Sequence, residues 1–154
     1  MSNIVAKTEY SFASLTPKQV YGAWLDPEQV REWMTRNMKA RGGDYEVTRI
    51  EIDPVIGGHY LFAGKQDGEQ SDSWGYYREL EPGRRLVFTW FVDEDEEREN
   101  NSTVTLELTA DGQGTRASMS HEMDAQWEPY ADQTAAAWHG MLKAIDQILT
   151  DPAE

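Results

Sequence analysis

The spacing of hydrophobic residues changes period twice along this chain. Near the start, "KTEYSF" reads as a short strand, and "LTPKQVYGAWLDPEQVREWM" then carries two helix starts. Thr16 stands before Pro17, and Asp26 before Pro27. A side-chain oxygen able to cap free N–H groups, followed by proline at the first helical position, marks a helix N-terminus. Val20, Ala23 and Trp24 form the apolar stripe of the first helix, and Val30, Trp33 and Met34 that of the second. The second reads as short, with "TRNMKARGG" a polar connection after it, so the two make a bent helical pair.

From Tyr45 the period drops to two. "YEVTRIEI" places Tyr45 and Val47 on one parity and Ile50 and Ile52 on the other, which predicts a bulge or a phase change near Arg49. Residues Pro54 to Gly58 turn the chain into "HYLFAG", and Asp67-Gly68 closes a hairpin. "SWGYYREL", "LVFTWFV", "STVTLELT" and "TRASMSHEM" follow as strands, separated by "EPGRR", an acidic run and "ADGQG". Val104, Leu106 and Leu108 share one face, as do Ala117, Met119 and His121. Glycine weakens a strand interior, so Gly57-Gly58 predicts a corner of a curved sheet.

The period then returns to helical. In "DQTAAAWHGMLKAIDQILT", Trp138, Met141, Leu142, Ile145, Ile148 and Leu149 recur on one face, with Lys143, Asp146 and Gln147 opposite. The order is a strand, two short helices, a run of about six antiparallel strands and one long amphipathic helix. A meander with one apolar face needs a cover, and the terminal helix is the candidate. The class is α+β, in a single domain over residues 1–154.

Composition narrows the function classes. The chain has no cysteine, which excludes disulfides, thiolate metal sites and cysteine nucleophiles. A net charge of −14 opposes nucleic-acid binding, which depends on Lys and Arg neutralising phosphates. No apolar run approaches the roughly 20 residues a membrane helix needs, and "MSNIVAKTEYSF" lacks the features of a signal peptide. A cytoplasmic protein without membrane insertion is expected. The run Asp93 to Glu99 reads as a mobile, solvated hairpin tip with no part in ligand binding, or else as a docking site for a basic partner.

The segments "WLDPEQVREWM", "PVIGGHYLF", "LEPGRRLVFTW", "GTRASMSHEM" and "AAAWHGMLKAI" occur in the order seen in START-like, helix-grip (SRPBCC) proteins. The chain most resembles the family homologous to the activator of heat-shock-protein-90 ATPase, from about Lys7 to Leu149. Where that family carries a second tryptophan after "REW", this chain has Met34. The resemblance implies a curved antiparallel sheet of about six or seven strands gripping the C-terminal helix. It also implies a cavity between them that often admits a hydrophobic molecule. Relatives include cyclases, lipid carriers and cochaperone domains, so the fold does not fix the function.

The candidate chemistry centres on His121, whose parity turns it inward beside Met119. It can be a bonded core histidine, a ligand contact or a general base. His59 lies opposite Tyr60 and Phe62 and should face solvent, and His139 should turn away from the sheet. The histidines have no metal-ligand spacing, and no nucleophile elbow or phosphate loop is present, so no cofactor is expected. Tyr60, Phe62, Phe88, Trp90, Trp138 and Met141 can face one interior; with Trp33, Met119 and His121 they form the candidate ligand-contacting set. Trp127 and Tyr130 either gate the entrance or staple a loop. The leading reading is a binder of a small aromatic or lipid-like molecule. A cyclase- or hydrolase-type enzyme using His121, or a cochaperone-like module with a protein partner, are the alternatives.

Overall fold

The computed structural model describes residues 3–40, 42 and 44–150. Strand β1 (Asn3–Phe12) leads to α1 (Pro17–Ala23) and α2 (Pro27–Ala40). Strands β2 (Tyr45–Ile52), β3 (His59–Gln66), β4 (Glu69–Glu81) and β5 (Arg85–Thr89) follow. A helix α3 (Glu94–Glu99) precedes β6 (Ser102–Asp111) and β7 (Gly114–Asp124). A 3-10 turn (Ala125–Tyr130) then enters α4 (Ala131–Thr150). The strands form one antiparallel seven-stranded sheet in the order β1-β7-β6-β5-β4-β3-β2. The α+β helix-grip architecture is the one the family resemblance implies.

The α4 stripe is buried along Trp138, Leu142, Ile145 and Ile148, with Met141 and Leu149 half-covered. Trp138 is only 2% exposed, so the helix does cap the sheet rather than lie beside it. None of the helices among the described residues is long and apolar enough to cross a membrane.

Local rules account for most element ends. Thr16 accepts from the Gln19 N–H while the Gln19 side chain accepts from the Thr16 N–H, a reciprocal cap on α1. Asp67 and Gly68 both have positive φ, as a two-residue hairpin turn requires. The register shifts between Val47 and Arg49 at the expected place, and again between Tyr77 and Glu79. These bulges supply the bends. Gly57-Gly58 lies in the β2–β3 connection, where Gly57 N–H donates to Tyr77 O at 2.7 Å and Tyr77 N–H to Gly58 O at 3.0 Å. The glycines clip that turn to β4.

Three sequence expectations need correction. Strand β1 begins at Asn3, not Lys7, because it pairs with β7 along its whole length. Helix α2 continues through "TRNMKA" to Ala40; Arg41 and Gly43 of the expected connection lie outside the described residues. Tertiary packing explains the extension: Asn37 is buried against α4 where a Cβ on Gly140 would sit 2.7 Å from Asn37 Oδ1. The acidic run is a helix, not an open hairpin tip. Asp93 caps it by accepting from Glu96 N–H at 2.8 Å, Asn100 closes it in the left-handed region, and its first-turn acids oppose the positive end of the helix dipole.

Candidate functional site

Near one end of the sheet–helix interface the packing opens into a cavity of about 300 Å³. Its floor comes from β7, whose alternation sends His121 and Met123 inward. Helix α4 supplies Ala137, Trp138 and Met141 at helical spacing. The chain leaving β5 adds Trp90 and Val92, and Ser102 at the start of β6 closes the floor. Trp127 and Tyr130 of the 3-10 turn stand at the rim, both exposed, with ring centroids 6.0 Å apart. Glu96 and Glu99 of α3 complete the edge, with Asp124 across from them.

The polar centre is His121. Trp138 Nε1–H donates to its Nδ1 at 3.1 Å, and its Nε2 lies 2.6 Å from Ser102 Oγ. An indole N–H can only donate, so Nδ1 is the bare nitrogen and Nε2 carries the proton, which it donates to Ser102 Oγ. The imidazole is therefore neutral. Burial lowers its pKa to about 4, because a charge there would lose its hydration. Both ring nitrogens are engaged, so proton uptake has to break the bond from Trp138. Ser102, accepting from the histidine, keeps its own O–H to donate into the cavity.

The aromatic walls are ordered by edge contacts. Trp90 and Trp138 have centroids 4.9 Å apart at 71°, and His121 meets Trp138 edge-on at 5.7 Å. At the rim, Glu96 Oε1 accepts from Val92 N–H at 3.0 Å. Burial pushes the Glu96 carboxyl up; the Val92 hydrogen bond opposes this, while Asp93 and Glu99 add to it. On its other side α3 is tied down by Glu97, which accepts from Trp74 Nε1–H and Tyr76 O–H, each at 2.9 Å.

Four of the nine expected site residues, Trp90, His121, Trp138 and Met141, stand on this cavity wall. The other five are placed elsewhere. Trp33 is 1% exposed, donates to Ala23 O at 2.9 Å and packs on Trp24 at 4.8 Å. Tyr60, Phe62 and Phe88 surround a void of only about 10 Å³ with Trp24, and Tyr60 O–H donates to Thr89 O. Met119 is fully buried between sheet and helix. All five face the interior, and around Tyr60, Phe62 and Phe88 the packing of Trp24 and Trp33 leaves only that small void.

Ser102, Met123, Asp124 and two acids of α3, Glu96 and Glu99, line the cavity although the residue pattern did not single them out. Met123 was reachable, two positions beyond His121 on the same strand face. The acids were hidden because their charge run reads as solvated until its helical cap is seen. His59 is exposed beside Tyr76, and His139 is exposed with its ring edge on Tyr10. No cluster of three or more His, Cys, Asp or Glu able to hold a metal occurs among the described residues.

A family model described as Activator of Hsp90 ATPase homolog 1-like protein matches residues 14–150. An Activator-of-Hsp90-ATPase-homolog-1-like protein from Aeromonas hydrophila is 21% identical, with a TM-score of 0.74 over 98% of this chain and 96% of its own. A protein from Rhodobacter sphaeroides has 21% identity and a TM-score of 0.75 over 95% and 92% of the two chains. One from Chromobacterium violaceum has 20% identity and a TM-score of 0.73 over 94% and 95%. At these identities the likeness is one of fold. No curated protein sequence matches the chain significantly.

Proposed function

We propose a ligand-binding role for this chain, which belongs to the family of Activator of Hsp90 ATPase homolog 1-like proteins. The family's fold is compatible with ligand binding. The finer reading is that a small hydrophobic molecule, aromatic or lipid-like, occupies the cavity between sheet and α4. One observation carries it: a space of about 300 Å³ has Trp90, Trp138 and Met141 on its walls and the hydrogen-bonded pair His121 and Ser102 on its floor, with polar residues at its rim. That is the usual make-up of a ligand site, apolar walls with few placed polar groups, at the small end of a range of roughly 300–1,000 Å³. It suits a fused-ring compound better than a long-chain lipid. His121 serves this role as a neutral positioning group for Ser102. The cytoplasm is the setting in this reading, since a cysteine-free chain needs no oxidising compartment.

The test is native mass spectrometry of protein purified without detergent, followed by titration of tryptophan fluorescence with two-ring aromatic compounds. Saturable quenching that is lost when Ala137 is enlarged to Phe supports the reading. Failure of every apolar compound to bind the wild type overturns it.

A further inference from the structure

The mouth of the cavity and its interior differ sharply in chemistry. The walls are aromatic, with Trp90 and Trp138 inside and Trp127 and Tyr130 at the rim. The rim adds three carboxylates, Glu96, Glu99 and Asp124, and among the described residues lining the cavity there is no Lys or Arg. Arg98, the basic residue of α3, is paired with Asp95 and does not line the cavity. Local hydrogen bonds satisfy only part of this acidity: Glu96 takes the Val92 N–H, and Asp124 takes the Gln126 N–H at 2.9 Å. The second oxygen of Asp124 lies 3.5 Å from Asn101 Nδ2, while that of Glu96 remains for another donor.

Resting on the reading that the cavity holds a ligand, we infer that it selects a hydrophobic cation. The aromatic or alkyl body lies against Trp90, Trp138 and Met141, while an amine or quaternary ammonium stays at the mouth against Glu96, Glu99 and Asp124. Two independent features converge on this class. The ring faces attract a cation through their quadrupole, and they do so more strongly where water is thinned out. The carboxylates supply full opposite charge; Glu96 and Asp124 are half-buried, where screening is weaker than in open water, and Glu99 is exposed. The raised proton affinity of Glu96 fits such a site: burial disfavours its charge, and Asp93 and Glu99 add to this against the Val92 hydrogen bond. An anionic ligand of the same size meets the same acids as repulsion. The overall charge of −14 adds a field that draws cations toward the mouth.

The probes are three naphthalenes of nearly equal bulk: (2-naphthylmethyl)trimethylammonium, its neutral carbon isostere 2-neopentylnaphthalene, and 2-naphthylacetate. Each is titrated into the full chain by calorimetry at pH 7.5, at low and at high salt, and into the Glu96→Gln and Glu99→Gln variants. The wild type should bind the cation about ten-fold tighter than the isostere, and the anion weakest. High salt and each variant should shrink that preference, while affinity for the neutral isostere stays within about two-fold, which also reports that the variants are folded. Equal affinity for cation and isostere overturns the inference and leaves the ligand-binding reading standing. A cation preference unchanged in both variants overturns the assignment to these carboxylates. If none of the three binds, both readings fall together.

Discussion

Trp138 of α4 and His121 of β7 are joined across the sheet–helix interface by an N–H···N bond of 3.1 Å, and burial there keeps the imidazole neutral. Its consequence is a pH dependence with a definite sign. The folded-state pKa of His121 is about 4, below the ordinary 6.5, so between those values the unfolded chain binds the extra proton. The contribution is complete above about pH 6.5 and is lost as pH falls through about 4. Its full size is about 3 kcal/mol. Because many carboxylates titrate in the same window, the informative quantity is a difference. The stability gap between wild type and His121→Gln, from urea unfolding, should narrow by about that amount from pH 7 to pH 4. A gap that stays constant would mean the histidine is no more buried than in the unfolded chain.

Ser102 is expected to meet polar ligands directly, since its hydroxyl proton is free while the histidine proton is not. Ser102→Ala should weaken ligands bearing a carbonyl or hydroxyl by about 1–2 kcal/mol, and plain hydrocarbons hardly at all. Paired titrations of 2-acetylnaphthalene and 2-isopropylnaphthalene measure this. Equal losses for both compounds would remove Ser102 from recognition and make its bond to His121 purely structural.

How much of this was legible beforehand depends on the range of the physics involved. Helix α1 was readable at Thr16 and Pro17, because capping is decided within one turn. The bulge near Arg49 was readable because parity failed there. The full length of helix α2 is not legible in its sequence, because its last turns are polar and are held by Asn37 against Gly140, a contact about 100 residues away that no local pattern announces. The site divided in the same way. Parity turned Tyr60, Phe88, Trp90 and His121 to the interior, but parity carries no depth. Whether an inward aromatic lines a hollow or fills a core was decided by Trp24 and Trp33 arriving from another element.

Helix α3 should depend on Glu97 for its position. Its residues are not buried, and Glu97 ties it to Trp74 and Tyr76 of β4. Glu97→Ala should raise amide hydrogen exchange over residues 94–100 while global stability changes by no more than about 1 kcal/mol, as for a surface site. The Tyr76 hydroxyl offers a second readout. Its bond to Glu97 is the main reason its pKa lies above 10.0, so ultraviolet titration should move it back down. Unchanged exchange in the variant would show that the Asp93 cap alone fixes the helix.

Glycine substitutions on two elements should have opposite signs. In α1, a Cβ on Gly22 would meet nothing within 4 Å, and the backbone there is not left-handed. Gly22→Ala should therefore stabilise the fold by about 0.5–1 kcal/mol, through helix propensity and a less disordered unfolded chain. Gly75 of β4 is the reverse case. A Cβ there would overlap the Thr89 carbonyl oxygen and lie 2.7 Å from both the Thr89 carbonyl carbon and Oγ1. The obstacle is backbone, and it cannot swing aside. Thr89 is also fully buried, its carbonyl accepting from Tyr60 O–H and its Oγ1 from Tyr76 N–H at 2.8 Å, so pushing it away breaks two bonds in the core. Gly75→Ala should cost about 2–3 kcal/mol, as overpacking in a tight interior does. Thermal unfolding followed by circular dichroism separates the two outcomes, with Tm rising for Gly22→Ala and falling for Gly75→Ala. A neutral result at Gly75 would mean that β4 and β5 can part there at no cost, and Tyr60 would then not be held by Thr89 as described.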